Sequence, residues 1–314
     1  MNAKNIILAI LMVLSFAACS SEIEGIDDNM TNTNVNVNNG ETSISVRMMT
    51  EGVDTKAGIP SDELAIRNYV IAVFEEGSKE RVGYAFGGTT GGYLETPIVK
   101  GIDAKAGEVT VIVVANVDDT SVFDNLYTYQ DFTSMTVGKL NNLTKVGIKT
   151  NVALSATSNS LEVTLKQLTS RVNVTLNEPK VTVIGENNIT ASIKAKGYSA
   201  CIAETSKIIA DPQEVTPSNI TLEPSESQFS YFTYAVKGSD LLVVHAELVI
   251  YANETVKKTI TKDIEVSFPE NTLLAGKSYN QQIDVEVTVT QNFEVEFGYE
   301  INIKDNENQD IIYN

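Results

Sequence analysis

The 314-residue chain has no tryptophan, one histidine and two cysteines. One His and two Cys are too few for a Cys/His zinc cluster or a set of disulfides. Without Trp the most common sugar-stacking platform is missing, although 12 Tyr remain. Positive charge is scarce as well: 23 Lys and Arg face 41 Asp and Glu, a formal charge of −18. That balance gives no general attraction to phosphate and excludes nucleic acid as a partner. The N-terminal apolar run, Ile6 to Ala18, is 13 residues long, too short to span a hydrocarbon layer of about 30 Å. The whole chain is 42% hydrophobic and 20% charged, enough to bury real cores in a length that suggests about two domains.

Catalytic constellations are missing too. The acidic pairs Asp27-Asp28, Asp62-Glu63, Glu75-Glu76 and Asp118-Asp119 fall in loops or at strand ends and read as solvated surface charge. Gly83 to Gly92 lacks the Gly-Lys-Ser/Thr ending of a phosphate loop and reads as a hairpin loop. No EF-hand spacing is present. Cys201 reads as a small buried apolar side chain, and the single histidine, His245, sits in the strand-like stretch Leu241 to Ile250. No catalytic residue, cofactor or metal ligand is expected.

Lys4, the apolar run and the small residues Ala17-Ala18 ahead of Cys19 form a secretory signal. The cysteine after two alanines resembles the lipobox of bacterial lipoproteins, which implies cleavage before Cys19 and acylation of its thiol; Phe16 stands where Leu is usual. Two or three acyl chains would anchor the protein stably to a membrane. Ser20 to Gly40, rich in Asn, Thr, Ser and acid, then reads as a solvated tether.

Beyond the tether the pattern is β throughout. Ser43 to Met48 alternates polar and apolar residues, the mark of a half-buried strand, and Glu51 to Pro60 is an exposed loop carrying Lys56. Short Val/Ile/Thr/Tyr/Phe-rich segments follow at Ala65–Phe74, Val109–Ala115, Leu161–Leu165, Val172–Leu176, Lys180–Ile184, Gln228–Ala235, Leu241–Tyr251, Thr255–Val266, Ile283–Val289 and Phe293–Ile303. Only 122–140 and 211–218 look irregular or weakly helical. No βαβ alternation is present, so the expectation is all-β, with antiparallel Greek-key sandwiches and a boundary near 166–170.

In order along the chain, Cys19, the polar tether, Thr42 to Val46, Thr55-Lys56-Ala57, Ala65 to Gly77, Lys105 to Asn116 and Leu168 to Val174 resemble the fimbrillins, pilus subunits of Bacteroidales. The resemblance implies two transthyretin-like β-sandwich domains. It divides the chain into a signal peptide (1–18), a lipidated propeptide with a removable first strand (19–56), an N-terminal sandwich (57–167) and a C-terminal sandwich (168–314). It implies a lipoprotein precursor on the outer membrane, cut after a basic residue by a trypsin-like protease and assembled with other fimbrial subunits by donor-strand exchange, supporting cell adhesion. Carried over, the cut falls between Lys56 and Ala57, and the strand removed presents Ile44, Val46 and Met48. Lys56 stands where the family usually has Arg; Arg47 is the alternative cut, inside the expected strand. The alternating side chains Phe293, Val295, Phe297, Tyr299, Ile301 and Ile303 are either the donor strand or a permanent closing strand. The rival expectation is a surface lipoprotein that keeps its anchor and binds glycan or protein.

Overall fold

The computed structural model describes residues 40–50, 61–89, 92–94, 97–185, 188–209 and 211–303. Cys19, the Lys56–Ala57 position and the last eleven residues lie outside them. The chain begins with β1 (Glu41–Thr50), the one-turn helix α1 (Ser61–Leu64), β2 (Asn68–Glu75), β3 (Arg81–Gly88), β4 (Ile98–Lys105) and β5 (Gly107–Ala115). Short helical turns follow, including α2 (Tyr129–Ser134), and then β6 (Thr136–Val137), β7 (Lys145–Leu154) and β8 (Asn159–Gln167). The rest is β9 (Thr169–Leu176), β10 (Lys180–Ile184), β11 (Ile189–Ala200), β12 (Ser206–Lys207), β13 (Ser218–Glu226), β14 (Gln228–Tyr234), β15 (Val236–Lys237), β16 (Leu242–Ala252), β17 (Thr255–Val266), β18 (Thr272–Leu273), β19 (Ser278–Thr290) and β20 (Val295–Ile303).

The first eight strands, apart from the two-residue β6, form a seven-stranded sheet ordered β3-β2-β5-β7-β8-β1-β4. Its two end strands approach each other: a Cβ on Gly83 of β3 would lie 2.6 Å from the Asp103 carbonyl oxygen of β4, so only glycine allows this approach. The sheet therefore folds over a core in which Ile44, Val46 and Met48 meet Ile71, Val73, Val111, Val113, Val163 and Leu165.

The remaining long strands make two sheets that face each other. One is β13-β11-β16-β17; the other is built on β19. Strand β9 pairs with the 278–283 stretch of β19 and β10 with the 286–290 stretch. Because β20 pairs with the 281–289 stretch of β19, overlapping both, it occupies the opposite edge. Tyr198 of β11 stacks on Phe229 and Tyr231 of β14, with ring centroids 4.5 and 5.3 Å apart. No strand of the first sheet runs past Gln167, yet the core is continuous across that point: Val70, Phe74 and Val114 belong to one buried cluster with Val172 and Val285.

The all-β expectation holds. The strictly antiparallel one does not, since β1–β8, β9–β19 and β10–β19 run parallel; long connections passing over the sandwich permit parallel neighbours without βα units. The Gly-rich stretch read as a hairpin loop is instead largely strand β3, whose residues pair with Asn68 to Phe74. Glycine hides strands from a propensity reading because it is depleted in them.

Candidate functional site

Strand β1 is the element around which a function can be built. Its alternation has a direct physical result: Thr42, Ile44, Val46 and Met48 are buried, and the side chains between them are partly or fully exposed. Burying each of the three apolar ones contributes roughly 1.5 to 3 kcal/mol. Both edges of β1 are paired, antiparallel to β4 from Glu41 to Arg47 and parallel to β8 from Ile44 to Thr50. Polar contacts fix its start: the Thr42 hydroxyl donates to the Thr157 carbonyl at 2.6 Å and accepts from Asn159 Nδ2 at 3.0 Å. Near its end the Met48 N–H donates to the Pro97 carbonyl at 2.8 Å. Arg47 points outward, its guanidinium donating to Glu162 at 3.3 Å. It thus belongs to a strand paired on both sides, a poor substrate for a protease unless the strand first opens.

Past Thr50 the next described element is α1, which is tied to β9. Glu63 accepts a hydrogen bond from Arg171 of β9 at 2.5 Å, and both side chains are largely buried. The reading of Asp62-Glu63 as solvated charge is therefore corrected at Glu63; its partner lies 108 residues away, a distance no local pattern reveals. Burial raises the Glu63 carboxyl above the usual carboxylate range, against the lowering influence of Arg171 and Lys145. Lys145 itself is only 2% exposed. Its ammonium donates to the Leu143 carbonyl at 3.2 Å, and burial, helped by the nearby Arg67 charge, brings it down to about 8. Lys145 pairs with Gln167 across the β7–β8 ladder, two residues beyond the Leu165 that faces Thr50. The charged group thus sits at the end of the β1 slot.

The C-terminal side chains singled out in the sequence all fall on or next to β20. Phe293 is in the turn before it with φ 59°. Val295, Phe297 and Ile301 are half-buried against the core, Tyr299 is exposed, and Ile303 pairs with Gln281 at the end of the ladder. The neighbouring edge strand β17 also holds this segment: Lys258 Nζ donates to the Phe293 carbonyl at 3.1 Å and Lys262 lies over the Phe297 ring at 5.6 Å. Cys201 is buried, as read, with its thiol raised by burial and by Asp240. Among the described residues no cluster of three or more His, Cys, Asp or Glu could hold a metal ion, and no helix is long and apolar enough to cross a membrane.

A comparison with curated proteins found no match. Among solved structures, the chain is similar to the tip fimbrial protein Mfa3 from Porphyromonas gingivalis with C-terminal truncation, at 12% identity and a TM-score of 0.54 over 84% of this chain and 99% of that one. It is also similar to a fimbrilin (fimA) from Porphyromonas gingivalis W83, at 12% identity and a TM-score of 0.50 over 83% and 96%. At such identity the likeness establishes the fold. The model of the major fimbrial subunit protein (FimA) family matches residues 35–240, about two thirds of the sequence, and the chain accordingly belongs to that family of structural, non-enzymatic fimbrial subunits.

Proposed function

We propose that this subunit is exported as a precursor lipidated at Cys19, is cut between Lys56 and Ala57 by a trypsin-like protease, loses β1, and receives in its place a strand from the next subunit. The observation that carries this reading is the combination in β1 of a buried apolar face, Ile44, Val46 and Met48, and two paired edges. Its covalent link to the rest of the domain runs through residues 51–60, so one cut there makes its binding bimolecular and removes the effective concentration of the intact chain, on the order of millimolar for a short connection. Residues 293–314 are the proposed donor, as an added strand of the kind that other sheet-edge complexes use. On this reading residues 57–167 and 168–314 are the two sandwich domains, and the outer membrane holds the protein only until the cut.

Limited trypsin treatment of the purified precursor tests the proposal. Trimming at Lys56 should yield a ladder of polymers, and deletion of residues 293–314 should abolish it. Stable monomers after trimming would overturn the exchange, and polymers formed without 293–314 would overturn the donor assignment. A cell-surface form that still begins at Cys19 would instead establish the rival, a permanently anchored lipoprotein.

A further inference from the structure

Four side chains form a continuous hydrogen-bonded row across β13, β11, β16 and β17. Asn219 and Ser199 are cross-strand partners, as are His245 and Asp263. Ser199 Oγ lies 2.7 Å from His245 Nε2, and His245 Nδ1 lies 2.7 Å from Asp263 Oδ1. On its other side the Ser199 hydroxyl donates to Asn219 Oδ1. Neither Ser199 nor His245 is fully buried, with the His245 side chain 33% and the Asp263 side chain 67% exposed. The row therefore lies open on the outer face of the sheet.

The chemistry follows from which atoms can carry protons. A carboxylate only accepts, so in the neutral ring Nδ1 carries the proton and donates to Asp263, leaving the Nε2 lone pair for the Ser199 hydroxyl. Once that proton is committed to His245, Asn219 Oδ1 has none to accept. A half-turn of the amide presents Nδ2 to Ser199 Oγ instead. Nucleophile, base, orienting carboxylate and one amide donor are then in line, the arrangement that activates a serine on unrelated folds. β11 is paired on both sides, so the Asn219 amide is the one donor in the row for a developing oxyanion. With a single donor on an open sheet face, the row favours forming one adduct over repeated turnover.

We propose that Ser199 is an activated hydroxyl on this sheet face, a stoichiometric acceptor for electrophilic acyl or phosphonyl groups. In the step, the Ser199 Oγ–P or Oγ–C bond forms, the bond to fluoride or to an alcohol leaving group breaks, and the hydroxyl proton moves to His245 Nε2. Fluoride departs as the anion; an alkoxide leaves with that proton. His245 and Asp263 are positioning and proton-accepting groups, distinct from the β1 slot.

The test treats the full chain with a fluorophosphonate probe and maps the adduct by peptide mass spectrometry, with unfolding midpoints measured on every variant. Labelling at Ser199 is expected, absent in Ser199→Ala, slowed at least tenfold in His245→Gln and several-fold in Asp263→Asn and Asn219→Ala. The last two replace exposed side chains, so they remain informative if His245→Gln lowers stability. No adduct at Ser199, or one whose rate His245→Gln and Asp263→Asn leave unchanged, would overturn the proposal.

Discussion

At Lys145 a single side chain has no room for its own hydration. The ammonium is held at about 8 chiefly by burial, whereas an unfolded lysine titrates near 10.4. Between those values the unfolded chain keeps a proton that the folded chain has released. Folding therefore gains stability as pH rises from about 8 to about 10.4, and the contribution is flat below that window. Lys145→Met should be more stable than the parent at pH 7 by about 1 to 3 kcal/mol, and the advantage should fade by pH 10.5. Urea midpoints at three pH values check this; a difference independent of pH would refute it. Glu63 works in the opposite sense. Its raised carboxyl favours the folded state below the unfolded carboxyl range and loses that contribution as pH rises through its folded value. None of this could be read from the sequence. Lys145 looks like any strand-end lysine, and only the fold brings Glu63 and Arg67 close to it.

At the scale of elements, legibility followed the side-chain period. Strands β1, β10 and β17 could be read because apolar and polar residues alternate or because Val, Ile and Thr dominate. Strand β3 could not, because Gly83, Gly87 and Gly88 pack through their backbone and give no pattern. The row through Ser199 was equally invisible, since its members lie on four strands and meet only through register. β1 and β20 both alternate, but they differ in burial: Val46 is fully buried and Phe297 half-buried. Val46→Asp should prevent folding of the precursor or cost about 4 kcal/mol or more, by placing an unpaired charge in the core. Phe297→Ala should cost less, about 1 to 2 kcal/mol, scaled down from full core truncation because the ring is only half-covered. Equal losses in chemical denaturation would mean that β20 is as integral to the fold as β1.

The full chain carries a charge of −18, and residues 57–314 alone, with 20 Lys and Arg against 34 Asp and Glu, carry −14, so like subunits repel until a specific strand contact holds them. Screening shortens that repulsion to about 8 Å at 0.15 M salt. Polymer growth from trimmed subunits should therefore be several-fold faster at 0.3 M than at 0.02 M sodium chloride, followed by light scattering; a rate that falls with salt would point to attractive charge pairing between subunits instead. A last consequence concerns force. Any strand seated between β4 and β8 lies lengthwise in the sheet with neighbours on both edges. Tension applied along that strand loads its hydrogen bonds side by side in shear, whereas a strand peeled from an edge gives up its bonds one after another. A filament joined through such a slot would transmit pulling loads along its axis and yield far more readily to a force directed across it.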